Sequence, residues 1–139
     1  MEATEHIDLW HRDSGSTAGG VIMTGREGRY ATLSLEAPDL QLALGASGRD
    51  FFDALQQLRL QLEPLGWYPL CNGARIDCYP SGMARDMGEG RAVYVLSQTL
   101  DKLPLVPTFE PADREKVGTV VEQDANFERW FAWRTQRSR

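Results

Sequence analysis

Residues 30–37 read Tyr-Ala-Thr-Leu-Ser-Leu-Glu-Ala, and this short run constrains the fold more than any other. Ala31, Leu33 and Leu35 alternate with Tyr30, Thr32 and Ser34. A period of two sends successive side chains to opposite faces of a strand, so the segment reads as part of a half-buried sheet. A cover for that sheet follows in the sequence. Phe51, Leu55, Leu58, Leu62 and Leu65 recur at helical spacing and make one apolar stripe. Ser47 is the expected cap, with Asp50 three residues on to favour the N-terminal dipole, and Pro64 and Gly66 end the helix.

The first half reads as an antiparallel meander. "HIDLWHR" is a strand, "STAGG" interrupts it, and "VIMTG" and "RYATLSLEA" flank the Gly-bearing turn "GREG". Pro38–Asp39 turns the chain, and "LQLALG" puts Leu40, Leu42 and Leu44 on one face. After the helix, "WYPLC" and "ARIDCY" are split at Asn72–Gly73, where a tight hairpin and a bulge in one long strand both fit. "RAVYVLSQ" is a further strand, and the proline-rich "DKLPLVPTFEP" is expected to run extended over the surface. Thr119 and Glu122 form a capping box for a last helix. That helix places Val120, Asp124, Phe127, Phe131 and Arg134 on one side, with Trp130 and Trp133 beside them. Each aromatic side chain carries roughly 150–250 Å² of surface, too much to leave in water, so the helix must dock on its own sheet or on a partner. The expectation is a single α+β domain over residues 1–139: an antiparallel sheet of five to six strands with two helices packed on one face.

The chain of 139 residues has a formal charge of −5. Its first 46 residues hold seven acids, among them Glu27, Glu36 and Asp39, against three bases. An acidic balance without a Lys/Arg cluster argues against a general nucleic-acid binder and suits a basic partner. No apolar run reaches the length of a membrane span, and "MEATEHIDLW" lacks a basic-then-apolar signal pattern. Cys71 and Cys78 are too few for a disulfide framework, so reduced, partly buried thiols and a cytoplasmic location are expected.

Catalytic patterns are scarce. His6 and His11, five apart on a strand, point to opposite faces and fit no metal-ligand spacing. Neither a nucleophile elbow nor a phosphate-binding glycine loop is present. The stretch "GARIDCYPSGMARDMGEGR", residues 73–91, is the one dense cluster. Arg75, Asp77 and Tyr79 alternate with an apolar face, Ser81 can bond the backbone of a short helical turn, and Gly88 and Gly90 permit positive φ. Two readings stand. Arg75 with Asp86 and Asp77 with Arg85, or the crossed pairs, hold an irregular loop together. Alternatively Arg75, Arg85 and Arg91 offer donors to an anion or carbonyl compound, with Asp77 and Asp86 orienting them. An acid–base pair made from Asp77 and Asp86 has no positional support.

The stretch Gly73 to Met83, G-A-R-x-D-x-Y-P-S-G-M, followed by "VEQDANFERWF", resembles small stand-alone bacterial proteins of unassigned activity. The resemblance implies a recurring bacterial domain and brings no catalytic residue, metal or cofactor. The first functional expectation is a non-catalytic protein-binding module, of the immunity or regulatory-inhibitor type, that meets a basic partner. Glu27, Glu36 and Asp39, or Trp130 and Trp133, would carry the contact. The alternative is a small-ligand binder or enzyme using Arg75, Asp77, Tyr79, Ser81, Arg85, Asp86 and Arg91. A homodimer through the Trp130–Trp133 end is the third possibility. Nucleic acid, membrane, metal and cofactor are not expected.

Overall fold

A computed structural model describes residues 3–137. The chain begins with the expected meander: β1 (Ala3–His11), β2 (Thr17–Glu27), β3 (Tyr30–Ala37) and β4 (Leu42–Gly48), each antiparallel to the next. A short β5 (Trp67–Pro69) adds on the far side of β1, giving the order β4-β3-β2-β1-β5. The β2–β3 hairpin turns on Gly28 and Arg29, because Glu27 pairs with Tyr30. Gly28 has φ +62, the left-handed first position that a II′ turn requires.

The period-two pattern holds. Ala31, Leu33, Leu35 and Ala37 are buried with Ile7, Leu9 and Ile22 on one face. The helix α1 (Phe51–Leu62) lies on that face through buried Phe51, Leu55, Leu58 and Leu62. Leu65 leaves the stripe, because Glu63–Leu65 tightens to a 3-10 turn that ends at Gly66 with φ +85. Leu40, Leu42 and Leu44 all pack against the core, although Leu40 belongs to the 3-10 turn Pro38–Leu40 and precedes β4.

The helix cap is not Ser47. β4 stays paired with β3 as far as Gly48, so Ser47 is still strand. Asp50 is the cap: its Oδ1 accepts from the Asp53 amide at 2.7 Å, and Asp53 Oδ2 accepts in return from the Arg49 amide at 3.0 Å. Gly48 is required at this corner, since a Cβ there would meet the Ala54 amide nitrogen at 2.6 Å.

The remaining strands form a second, three-stranded sheet: β6 (Cys78–Tyr79), β7 (Ala92–Val95) and β8 (Leu105–Pro107), in the order β6-β7-β8. The molecule is α+β, and among the described residues eight strands are divided between two antiparallel sheets. Asn72–Gly73 is neither a hairpin nor a bulge but part of the 3-10 turn Asn72–Ala74 between the sheets. Its amides are satisfied by the proline-rich segment: Asn72 N–H donates to Glu110 O at 2.9 Å and Gly73 N–H to Thr108 O at 2.8 Å. That segment does run largely exposed and partly as strand β8, but its end turns inward. Thr108 and Phe109 are buried, and a Cβ on Gly73 would meet Thr108 Cγ2 at 2.6 Å.

Two helices complete the chain, α2 (Gly82–Gly88) and α3 (Val120–Arg137). The Thr119–Glu122 capping box forms in both directions, at 2.8 and 3.0 Å. α3 docks on its own domain, but against α1 and β6 rather than on the five-stranded sheet. Val120 and Gln123 are buried there, while most of the last two turns stays in solvent.

Candidate functional site

Each arginine of the 73–91 cluster is held within the chain. Arg75 Nε and Nη2 both donate to the Asp77 carboxylate at 2.8 Å. Arg85, on α2, reaches Asp50 Oδ2 at 3.1 Å and lies over the rings of Phe52 and Tyr79, at 5.2 and 5.8 Å. Arg91 sits 4.0 Å above the Phe51 ring and 3.5 Å from Glu89, which also pairs with Arg26 at 2.7 Å. The expected pairs Arg75–Asp86 and Asp77–Arg85 do not form among the described residues. Of the crossed pairs Arg75–Asp77 forms, but Arg85 pairs with Asp50 rather than with Asp86, which is exposed on α2. The reason lies outside the cluster. Asp50, capping α1 with one oxygen, offers the other to Arg85.

Ser81 caps α2 as expected, accepting from the Ala84 amide at 3.0 Å. The left-handed residues that close α2 are Glu89, φ 60, and Gly90, φ +73; Gly88 is not among them. Gly90 must lack a Cβ, which would lie 2.7 Å from the Phe52 amide nitrogen.

The polar centre of the fold was not legible in the cluster. Arg59, in the α1 stripe region, is 0% exposed and pairs with no carboxylate in any ion pair among the described residues. Its guanidinium donates to Gln123 Oε1 at 2.6 Å, Gly118 O at 2.9 Å and Gly73 O at 3.3 Å. Burial pulls its pKa below the ordinary arginine value. Gln123 in turn donates to the carbonyls of Gly73, Arg75 and Cys78 at 2.8 to 3.0 Å. Gln56 Nε2 bridges Gln123 Oε1 and Asp124 Oδ1, and the Tyr79 hydroxyl donates to the same Asp124 oxygen at 3.0 Å. This network ties α1, the 73–79 segment and α3 into one body, and it fixes the phenol of Tyr79. Burial, then the Asp124 hydrogen bond, raises the Tyr79 pKa above the usual phenol value.

Above that anchored phenol lies a cleft of about 520 Å³ between α3, the second sheet and residues 101–103. Five aromatic side chains line it: Tyr79, Tyr94, Phe127, Trp130 and Phe131. Tyr79 and Phe127 stack with centroids 4.1 Å apart, and Phe127 touches Trp130 and Phe131 at 6.3 and 5.8 Å. Trp130 is fixed by its indole N–H, which donates to Ser97 O at 3.1 Å. Phe131 is 54% exposed at the mouth. Ser81 lies on the wall, and Asp101, Lys102 and Arg134 are the charged lining residues. The volume falls in the range of small-molecule and side-chain pockets, which are apolar with a few polar groups that orient the guest. Aromatic stacking and apolar burial are the chemistry this arrangement offers.

The cleft thus gathers Tyr79, Ser81 and Trp130 from the residues singled out in the sequence, and adds Tyr94, Phe127 and Phe131. Trp133 is half-buried under Arg137, whose guanidinium lies 4.9 Å above its ring. Glu27, Glu36 and Asp39 are exposed, the first two on strands of the first sheet and Asp39 in the 3-10 turn between β3 and β4. Glu27 closes the hairpin beside Tyr30, and Glu36 stands six residues along β3 from Tyr30, about 20 Å away at a strand's rise. They make no single patch with the aromatic helix.

Cys71 and Cys78 are free and buried. Burial pushes their thiols up to about 11 and about 12, so neither is a nucleophile at neutral pH. His6 is exposed on the open face of the sheet, while His11 packs edge-on against Trp67 at 5.0 Å. No helix among the described residues is long and apolar enough to cross a membrane. No protein-family model matches the chain, and no curated protein matches it in sequence.

Proposed function

We propose that the protein is a non-catalytic binding module, of the immunity or regulatory-inhibitor type, that takes a segment of a partner protein in the aromatic cleft. The observation that carries this reading is the convergence of five aromatic side chains on one open concavity. A chain that needed them only for its core would bury them. Instead Phe131 stands 54% exposed at the mouth, and nearby Leu100 and Leu105 are exposed to a similar degree. α2, which starts at the cleft wall, adds Met83 and Met87 at 71% and 81% exposure. Exposed apolar side chains around an aromatic cleft are what an interaction site presents. Rigid aromatic anchors pocketed beside flexible methionines suit protein recognition.

The alternative use of the Arg/Asp cluster at 75–91 for an anion has less support, because its arginines already have partners. Peptide display against the whole protein tests the proposal. Selected peptides are expected to bind the native chain and to weaken at least about tenfold on Phe131→Asp, the cost of losing one well-packed anchor. Met23→Asp, on the first sheet, should leave them unaffected. Selections that respond to Met23→Asp and ignore Phe131→Asp would sink it. Light scattering of the free protein identifies a second copy as the occupant if the chain is a dimer that Phe131→Asp dissociates.

A further inference from the structure

We infer that two copies of the chain join through β4, pairing antiparallel so that their first sheets run on as one. This surface is separate from the aromatic cleft, which no residue of β4 lines. A sheet edge exposes unpaired amides and carbonyls, and folded chains guard it with short strands, proline, bulges or charge. Three of the four edges among the described residues are guarded by shortness, two of them by proline as well: β5 is Trp67–Pro69, β6 is Cys78–Tyr79 and β8 is Leu105–Pro107. β4 is not. Its seven residues, Leu-Ala-Leu-Gly-Ala-Ser-Gly, hold no proline and no charge, and they pair with β3 without a bulge.

The β2–β3 hairpin fixes which backbone groups of β4 are free. Glu27 and Tyr30 close a two-residue turn and so exchange hydrogen bonds; alternation along β3 then turns Ala31, Leu33, Leu35 and Ala37 towards β4. Their partners are Gly48, Ala46, Leu44 and Leu42, which leaves Ala43, Gly45 and Ser47 facing outward. Gly45 O bears this out, accepting from Gln61 Nε2 on α1 at 2.8 Å. The core side of the edge is open as well. Leu33 and Leu35 are 1% exposed, whereas Leu42, Leu44 and Ala46 on the same face are only half-buried. Beside the edge lies an uncharged flank of α1, where Gln57, Leu60 and Gln61 share one exposed side.

Charge complementarity names a second copy as the occupant. Asp39 precedes β4 and Arg49 follows it; both are exposed, and neither side chain forms an ion pair among the described residues. Asp50 and Asp53, beside Arg49, are taken up by the helix cap and by Arg85. Within one chain a seven-residue strand separates Asp39 from Arg49, roughly 23 Å at a strand's rise. Antiparallel pairing centred on Gly45 sets Ala43 opposite Ser47 of the second copy, and Leu44 beside its Ala46. It also sets Arg49 opposite Gln41 of that copy, with Asp39 two residues beyond. Each end of the interface thus joins a cation to an anion.

The test is light scattering of the full protein over a dilution series, beside thermal melts that monitor the fold. The chain is expected to be a dimer that Gly45→Lys weakens at least about tenfold, because two lysines then meet at the two-fold axis. A side chain has room there, since a Cβ on Gly45 would meet nothing nearer than Leu33 O at 3.8 Å, so the variant should still fold. Asp39→Arg and Arg49→Asp should each weaken the dimer, and the double variant should restore it, a rescue that only a second copy can supply. Hydrogen exchange adds an independent readout: the amides at 43, 45 and 47 should be protected in the native dimer and exchange rapidly in Gly45→Lys. A chain that is monomeric at millimolar concentration, or a dimer that withstands Gly45→Lys, would overturn the inference. So would a dimer dissolved by Phe131→Asp, which would seat the second copy in the aromatic cleft instead.

Discussion

The ring of Tyr79 lies parallel to that of Phe127, with centroids 4.1 Å apart and planes inclined by 11°. This stack joins the second sheet to the last helix. Its lower half is immobilised from below, because the Tyr79 hydroxyl donates to Asp124, which Gln56 on α1 also holds. Phe127→Ala removes one wall of the cleft and the packing of α3 on β6. A loss of about 3 kcal/mol in unfolding free energy is expected from chemical denaturation. Tyr79→Phe keeps the stack and loses only the hydrogen bond, so it should cost about 1 kcal/mol.

Arg85→Ala separates the structural from the ligand reading of the 73–91 cluster. The Arg85–Asp50 pair is largely buried, with 14% and 5% of its side chains exposed. Removing the arginine strands a buried carboxylate, and a loss of roughly 3–5 kcal/mol follows. Thermal melts should show a large drop. An unchanged melting temperature would mean that Arg85 is available for other work.

Much of the architecture could be read from the sequence. The alternation at Ala31, Leu33 and Leu35 and the stripe from Phe51 to Leu62 define a one-sided sheet and its covering helix, because both patterns are local. The capping box at Thr119 and the Ser81 cap are local for the same reason. What could not be read was the division into two sheets, since it depends on Asn72 and Gly73 bonding to residues 107–110, across more than thirty positions. Asp50 was misread as an aid to a Ser47 cap because the length of β4 depends on its pairing with β3. The Arg75–Asp77 and Arg91–Glu89 pairs of the cluster at 75–91 are local, but Arg85 and Arg91 also find Asp50, Phe52 and Phe51 far away in the chain, and those contacts carry no local signal. The cleft was half visible. The aromatic residues of α3 demanded a docking place, but Tyr79 and Tyr94 carry no signal that they face it.

Arg59 and Gln123 should behave as one unit. Gln123→Leu leaves a buried guanidinium short of its nearest acceptor and is expected to cost several kcal/mol, with Arg59→Met costing a similar amount. The double variant should be markedly less destabilised than the two single losses together, since it buries neither orphan. Denaturant midpoints of the four proteins complete the cycle. Simple additivity would place the two residues in independent roles.

The acid limb of stability should depend on Glu122. The Thr119 amide and hydroxyl, with Arg12, hold its carboxyl below the ordinary glutamate value of 4.5. Arg26 and Arg91 do the same for Glu89. A depressed folded pKa contributes stability that is fully present above the unfolded value and is lost as pH falls through the folded one. Glu122→Gln should therefore lower the melting temperature most at neutral pH, with the gap closing in acid. A gap that widens on acidification would reverse the sign of this linkage.

The two cysteines offer a probe of core integrity. With thiols pushed up to about 11 and about 12 and both side chains buried, the native protein should resist a thiol-disulfide reagent at about pH 8 and react fully once denatured. Rapid reaction of the native chain would show that the segment around Cys71 or Cys78 opens readily.

The cleft itself is tested most directly by the indole N–H signals of the four tryptophans in a nitrogen–proton correlation spectrum. Trp10 and Trp67 belong to the first sheet, whereas Trp130 lines the cleft with its N–H bonded to Ser97. Titration with a peptide selected by display should shift the Trp130 indole and leave Trp10 and Trp67 in place. Movement of Trp10 or Trp67 with Trp130 unchanged would put the binding surface on the first sheet and contradict the account.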